Sequence, residues 1–356
     1  MTLQRLAVTA PVTLRTPSLK GGRGAGGLKP ARAGAREAMT RYIARRLIQA
    51  VPTFLGITII AYSIIRLAPG DPLAVFEDAR GTSAEQMAEL RKAYGFDRPL
   101  PIQYIEWLGK AVRLDFGRSF QTHLPARDII MERIPATLQL TLTAILIGLG
   151  LGVPAGMWAA INRTRWPHQL VRIFAVTGDS VPHFYLGLLA ILLFAVQLRW
   201  LPAGGIVTLG ADQWDIVDRL RHLLLPAIVL ATGFLALFAR FMRTEVLEVL
   251  GQDYIRTARA KGLREMAVLY RHALRNALIP IITVLGGSLP ALLAGAATTE
   301  FVFSWPGMGR LAVDAAYARD YPVVMGLVLV VSALIIVGNL VSDVLYGVVD
   351  PRIRLR

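Results

Sequence analysis

The chain has no cysteine among its 356 residues, which excludes disulfide bonds, thiolate nucleophiles and cysteine-ligated metal sites. Its five histidines are scattered, without the H-x-x-x-H or H-E-x-x-H spacing of a metal-binding helix. The G-x-x-x-x-G-K-[ST] loop that holds nucleotide phosphates is missing, as is the G-x-S-x-G turn of a serine hydrolase. The sequence therefore predicts no metal site, no cofactor bound by this chain and no enzyme activity of its own.

Charged residues are also scarce. They make up 18% of the chain, against 54% hydrophobic residues and a mean hydropathy of +0.50. A helix needs about 20 consecutive apolar residues to cross a bilayer. Six stretches of about that length lie at residues 47–67, 137–160, 180–197, 223–242, 279–298 and 323–348. This pattern predicts an all-α membrane protein with six transmembrane helices.

Basic residues concentrate on alternate loops. Residues 1–46 contain ten Lys and Arg against one Glu, and residues 161–172 contain three Arg and no acid. Residues 69–135, between the first two apolar stretches, contain nine basic and ten acidic residues. Cytoplasmic loops carry the Lys and Arg excess, so both termini are predicted to be cytoplasmic. Topology thus accounts for the formal charge of +15, and no nucleic-acid partner is predicted.

The segments outside the apolar stretches suggest a division of the chain. Residues 1–38 are rich in Arg, Gly, Ala and Pro, and we expect a disordered basic tail. The alternatives are that translation starts at Met39, that the tail is regulatory or binds anionic lipid, and that it is a targeting peptide. Residues 39–356 form the predicted transmembrane domain. Within it, residues 69–135 are expected to form an external cap with helices at 84–94 and 102–114. This cap would pack on the helix bundle or receive an external partner.

Residues 244–278 form a basic, amphipathic stretch between two apolar segments, which we call the coupling segment. Helical patterns at 244–260 and 264–277 flank Gly262, which suits the residue just beyond a helix end. Two short helices around a glycine turn could enter a groove on a soluble partner. The alternative is an interfacial helix pair held by lipid headgroups through its arginines.

The coupling segment resembles the motif by which ABC importer permeases of the dipeptide, oligopeptide and nickel group contact their ATPases. Gly262 stands at the glycine of that motif and Ala258 at its second alanine, whereas Arg256 and Thr257 replace the usual Glu and Ala. The resemblance extends in family order over roughly residues 41–352. The further stretches that carry it are RYIARRLIQAVPTFLGI at 41–57, RLAPGDP at 66–72, YGFDRPLPIQY at 94–104, DFGRSF at 115–120, LPAGG at 201–205 and FVFSWPGMGRLAVDAAYARDYPVV at 301–324.

The resemblance implies a MetI-like permease architecture in a bacterial inner membrane. It implies that this chain forms half of a translocation pore with a second permease subunit, and that an extracytoplasmic solute-binding protein delivers the cargo. Two cytoplasmic ABC ATPase subunits would use ATP and magnesium. The residues that it assigns to ATPase coupling are Tyr254, Ala258, Lys261, Gly262, Leu263, Arg271, His272 and Arg275. The implied cargo is a short peptide, with nickel chelates, glutathione or another small solute as alternatives.

Four polar residues in or beside the apolar stretches are candidates for the substrate path. Asp179, Ser180 and His183 cluster where the third stretch begins, with Asp179 and His183 four residues apart on one expected helical face. Glu300 lies near the outer end of the fifth stretch and would line the pore or form a solvated helix end. The alternative for the cluster of Asp179, Ser180 and His183 is a structural role, in which hydrogen bonds join two helices near the membrane surface.

An alternative function from a different class is a proton-coupled secondary transporter that uses Asp179 and His183.

Glycines at positions 148, 152 and 156 recur at a spacing of four in the second stretch. Small residues at this spacing allow another membrane helix to approach closely. The sequence therefore predicts a tight helix crossing along this face.

Overall fold

The computed structural model describes residues 31–67, 84–93, 95–162, 169, 181–212, 215–294 and 296–349. The regular secondary structure of these residues is helical, which confirms the predicted all-α class. The helices, in chain order, are α1 Ala31–Leu67, α2 Ala84–Ala93, α3 Leu100–Ala111, α4 Ala126–Ile161, α5 His183–Ala190, α6 Ile216–Leu250, α7 Asp253–Ala260, α8 Arg275–Ala294, α9 Ala297–Val302, α10 Met308–Tyr317 and α11 Tyr321–Val349. Helix α5 continues as a π-helix over Ile191–Gln197, and α8 is preceded by a short α-helix at Glu265–Ala267 and a π-helix at Val268–Leu274.

Within the described part of the chain, four helical stretches are long and apolar enough to cross a membrane. They are Ile43–Leu67, Ala126–Ile161, Ile216–Leu250 and Tyr321–Val344. The first three contain the first, second and fourth predicted stretches, and the last overlaps most of the sixth. The third prediction corresponds to the shorter apolar helix His183–Gln197. The fifth overlaps α8, which ends at Ala294, and non-helical Ala296 separates it from α9. The number of six spans and their orientation stay predictions.

Helix α1 begins earlier than the sequence suggested. The tail was predicted to be disordered up to residue 38, but residues 31–38 are helical. Their Ala, Arg and Glu content favours helix once a long apolar helix follows to continue the same hydrogen-bond ladder. Residues 1–30 lie outside the described residues.

Helices α4 and α6 cross at close range along the predicted glycine face. A Cβ built on Gly148 would lie 2.5 Å from the Cβ of Phe234, and one on Gly156 would lie 2.4 Å from the backbone oxygen of Ala239. Gly152 has a similarly close neighbour in Leu235. These distances leave no room for a side chain, so the predicted tight crossing is confirmed. Phe238 and Met242 of α6 are fully buried in the apolar core beside this crossing.

The last helix, α11, contacts both α8 and α1. A Cβ on Gly286 of α8 would lie 3.1 Å from the Ser342 hydroxyl oxygen of α11, so these helices also pack closely. Arg46 of α1 forms an ion pair with Asp343 of α11, with 3.1 Å between its Nε and a carboxylate oxygen. The first and last helices are therefore held together at the ends of the chain.

The external cap contains the two predicted helices, here α2 and α3, while residues 68–83 lie outside the described residues. Gln103 of α3 is buried; it accepts a hydrogen bond from the Tyr62 hydroxyl at 3.3 Å and another from the Arg66 guanidinium of α1. Asp320, just before α11, accepts hydrogen bonds from the Ser119 hydroxyl and, at 3.1 Å, from the Phe120 amide. The cap thus packs on the helix bundle, which was the first of its two predicted roles. Contact with an external partner stays a prediction.

Candidate functional site

The coupling segment differs from the predicted pair of helices. A helix was predicted over 244–260, but α6 ends at Leu250 and α7 starts at Asp253. Gly251 and Gln252 separate them, because Gln252 is extended, with φ −76° and ψ 150°. The predicted second helix, 264–277, is the start of a longer helical run that continues through the π-helix into α8. Movement of the turn can therefore pass directly into α8.

Gly262 forms the turn, as the sequence predicted. Its φ is +72°, a left-handed conformation that glycine adopts without steric cost. The Gly262 amide donates to the Arg259 carbonyl at 2.9 Å, and the Leu263 amide donates to the Ala258 carbonyl at 3.4 Å. This pair of bonds is the Schellman pattern that terminates helices, and it satisfies carbonyls that would otherwise lack donors.

The inner side of the turn is a small apolar core. Ile255 and Ala258 of α7 are buried against Val268 and Ala273 of the π-helix. This core fixes the angle between α7 and the π-helix because both contribute buried side chains. Ala258, which the resemblance assigned to ATPase coupling, therefore packs beneath the surface and could act on a partner only through the position of α7.

The outer side of the turn exposes apolar side chains. Met266 is 61% exposed and Tyr270 51%, and Tyr254 and Leu263 are also exposed. Regular α-helical spacing over 264–277 predicts that Met266, Leu269, Tyr270 and Ala273 share one face. In the structure, Leu269 and Ala273 are buried while the other two face outward. The π-helix, with its wider turn, changes the expected 3.6-residue periodicity. Among the other predicted coupling residues, Lys261, Arg271 and Arg275 are exposed and His272 is half-buried.

An ion pair that the sequence did not reveal closes the turn. The Arg259 guanidinium donates to both carboxylate oxygens of Glu265, with Nη2–Oε1 at 2.6 Å and Nε–Oε2 at 3.2 Å. The hydrogen bond from Arg259 lowers the pKa of Glu265 below its ordinary value. Since the two residues are six apart with a turn between them, the helical spacing rules for ion pairs could not indicate this pair. It bridges the two sides of Gly262.

The polar cluster at the third apolar stretch is only partly visible. Asp179 and Ser180 lie outside the described residues. His183 is the first residue of α5 and is half-buried, and its Nε2 lies 3.1 Å from the position that a Cβ would take at Gly233 of α6. Pro182, with ψ 132°, is not helical, so α5 begins at His183. The predicted shared face of Asp179 and His183 involves a residue outside the described ones, and it stays a prediction.

Glu300 is fully buried, with 0% of its surface exposed, so the alternative of a solvated helix end is wrong. One carboxylate oxygen accepts from the Thr137 hydroxyl at 2.8 Å, and the other accepts from the Arg310 amide at 3.0 Å. A Cβ on Gly307 would lie 2.3 Å from the carboxylate carbon, which explains a glycine there. Glu300 therefore anchors the first turn of α10, where a negative charge is favoured. A pore-lining role stays a prediction, and it requires this side chain to become exposed.

Comparison with known proteins assigns the family. Residues 152–355 match the binding-protein-dependent transport system inner membrane component family, and residues 39–141 match the N-terminal family of the same membrane components. The chain belongs to this family. Its members are transport components of the inner membrane, so the chain is a multi-pass inner-membrane permease subunit and the resemblance found in the sequence is confirmed. The glycine turn lies within the larger matched region, as do Gly152 and Gly156 of the α4–α6 crossing.

Individual relatives cover nearly the whole chain. The oligopeptide transport system permease protein AppB of Bacillus subtilis is 42% identical over 89% of this chain and 100% of its own length. The dipeptide transport system permease protein DppB of Escherichia coli K12 is 41% identical, with 89% and 99% covered. The glutathione transport system permease protein GsiC of Escherichia coli O1:K1 is 40% identical, with 89% and 100% covered.

Proposed function

We propose that the chain is a permease subunit of an ATP-driven importer for short peptides, and that its coupling segment docks on a cytoplasmic ABC ATPase. The observation that carries the proposal is the glycine turn. A fixed turn with a buried inner core presents Tyr254, Leu263, Met266 and Tyr270 to the outside. Exposed apolar groups on short helices beside basic residues favour insertion into a groove on a protein.

The topology completes this proposal. The helix His183–Gln197 and α8 would supply the third and fifth spans beside the four long ones. With six spans and both termini in the cytoplasm, the coupling segment and the Arg-rich loop at 161–172 lie on the ATPase side. The cap and α10 lie on the side from which an extracytoplasmic binding protein delivers cargo. The excess of Lys and Arg on alternate loops supports this orientation.

The mechanism follows from the attachment of the turn to α8. ATP and magnesium, bound by the partner ATPases, would close the ATPase dimer and draw together the coupling segments of this chain and a second permease. ATP can drive the change only because the closed dimer favours one state of the pore over the other. The helical run from Glu265 to Ala294 would transmit the movement into the membrane. Asp179, Ser180, His183 and, after opening, Glu300 are proposed to meet the cargo.

The cargo assignment is supported by the names of the dipeptide and oligopeptide relatives. The glutathione relative has nearly the same identity, so glutathione, itself a short peptide, is the second candidate. Nickel chelates, or another small solute, are a third.

Two substitutions of Gly262 test the coupling role. No atom lies within 4 Å of a Cβ placed there, so the φ of +72° is the only obstacle to a side chain within this chain. Asn tolerates this conformation, whereas β-branched Val is strongly disfavoured in it. We expect Gly262→Val to reduce ATP-driven peptide uptake about tenfold or more, and Gly262→Asn to retain most of it, in proteoliposomes that contain the complete importer. Equal uptake by both variants at equal insertion would contradict a role for the turn conformation.

A further inference from the structure

A polar cavity of about 170 Å³ lies at the N-terminal end of α10, on the side proposed to be external. Its lining residues are Arg133, Gly307, Arg310, Leu311 and Asp314. We call it the Arg133 cavity. Gly307 and Arg310 are also the neighbours of Glu300, so the cavity lies next to that buried carboxylate.

Arg133, in the second turn of α4, has no partner for its charge among the described residues. Its side chain is half-buried, and its Nε is buried without a hydrogen-bond acceptor. A guanidinium stays protonated at any physiological pH, so Arg133 cannot avoid the cost of an unpaired charge by losing a proton. Buried or partly buried charges are normally paired. The described part of this chain supplies no anion to pair with Arg133, so we expect a ligand to supply one.

The other charged groups at the cavity are already engaged. The Arg310 guanidinium donates to the Ser304 carbonyl at 2.6 Å and lies 3.5 Å from the Asp314 carboxylate. Glu300 is saturated by Thr137 and the Arg310 amide, and it is fully buried. Neither carboxylate pairs with Arg133. The lining thus contains two guanidinium groups and one exposed carboxylate. Because that carboxylate is paired with Arg310, the charge of Arg133 is available to an incoming anion.

The volume of the cavity and the shape of the Arg133 guanidinium indicate that only a terminal group of a ligand binds there. Sites for whole drug-sized ligands have volumes of about 300–1,000 Å³, so a cavity of this size holds only part of such a molecule. The planar fork of a guanidinium matches a carboxylate through two parallel hydrogen bonds. A short peptide carries such a group at its C-terminus.

We propose that the Arg133 cavity binds the C-terminal carboxylate of the transported peptide on its way into the pore, and that Arg133 holds it. This inference rests on the proposed function, because it requires a peptide cargo with a free carboxyl end. It adds a specificity residue outside the polar groups that the sequence placed on the substrate path. Arg310 is the neighbouring donor, but the contacts of its side chain with Ser304 and Asp314 make its substitution harder to interpret.

The test pairs two peptides with two variants. Uptake of a dipeptide and of its C-terminal amide is measured in proteoliposomes with the complete importer, and each rate is expressed per binding protein loaded with that peptide. Arg133→Gln is compared with Arg127→Gln, since Arg127 is an exposed arginine of the same helix that does not line the cavity. We expect Arg133→Gln to lower uptake of the free-acid dipeptide about tenfold or more, as for loss of a hydrogen bond between charged groups. Uptake of the amide should not change, and Arg127→Gln should affect neither peptide.

Three results would overturn the inference. If Arg133→Gln lowers uptake of both peptides equally, Arg133 serves the fold or a contact with the binding protein. If it lowers neither, the cavity does not hold the cargo. If the unaltered importer takes up neither peptide, the proposed cargo itself is wrong and the inference falls with it. Should Arg133→Gln fail to insert, Arg133→Lys keeps the charge without the fork, and a loss of uptake confined to the free acid is again the expected result.

Discussion

At the scale of single residues, buried polar groups hold together the part of the molecule around the start of α10. Thr137 donates to Glu300 and also accepts a hydrogen bond from the Met308 amide at 2.8 Å. Trp305, which is fully buried, donates from its indole nitrogen to the Ala136 carbonyl at 2.8 Å. These bonds tie α4 to the loop before α10. The hydrogen bonds of Glu300 therefore stabilise the start of α10, whatever part this residue has in transport.

We predict that Glu300→Gln destabilises the protein by about 1–3 kcal/mol, because the new amide leaves one of two buried donors without an acceptor. Thermal unfolding of the detergent-solubilised chain measures the effect. Glu132→Gln is the control, since Glu132 is an exposed carboxylate of α4, and a change within about 0.5 kcal/mol is expected there. If both variants unfold alike, the hydrogen bonds of Glu300 do not support the fold.

The structural role of a residue was predictable from the sequence where its immediate neighbours in the chain determine that role. Gly262 was predicted because glycine just beyond a helix end has a specific backbone use. The burial of Glu300 was not, because its partners Thr137 and Arg310 are distant in the sequence or bind through the backbone. The Arg259–Glu265 pair was missed for a related reason, since it depends on the direction of the turn between them.

At the scale of helices, the glycine-lined crossing of α4 and α6 is the main packing contact described above. The prediction concerns two glycines of the same helix. Gly156 is buried against the Ala239 carbonyl, whereas Gly150 has no atom within 4 Å of a built Cβ. We expect Gly156→Ala to lower stability by about 1–3 kcal/mol through overpacking. Gly150→Ala should be neutral or stabilising by up to about 1 kcal/mol, since alanine is the better helix former.

Thermal unfolding of the two variants in the same detergent checks this expectation. A similar loss in both variants would mean that the crossing does not depend on close backbone approach.

Helix existence was predictable from hydropathy, and helix boundaries were less so. The long apolar stretches in α1, α4, α6 and α11 are strong signals because they are long and apolar enough to cross a membrane. The break at Gly251 and Gln252 was missed because amphipathic spacing continues across it. The π-helix at Val268–Leu274 changed which residues share a face, and periodicity at 3.6 residues cannot indicate it.

At the scale of the whole molecule, the two proposed functions lie at opposite ends. The coupling segment would take force from a partner ATPase, and the Arg133 cavity would meet the cargo. Helix α8 starts at the coupling segment, and α9 and α10 follow it in the chain. The two ends are thus joined by one continuous part of the sequence. Family membership shows that the chain is a transport component, while the number of spans and their orientation rest on the loop charges.

The central claim is that the glycine turn contacts the ATPase, and the lack of cysteine allows a direct test. Leu263→Cys places the only thiol of the chain beside Gly262, where the native side chain is 43% exposed. Leu209→Cys places it on a fully exposed loop residue on the side proposed to be external. Each variant is labelled in membranes with a thiol-reactive photo-crosslinker in the presence of the partner subunits. We predict cross-links to the ATPase from Leu263→Cys, with a yield that changes on addition of ATP and magnesium, and none from Leu209→Cys. Labelled Leu263→Cys that reaches only lipid, or an ATPase cross-link from Leu209→Cys, would contradict the account.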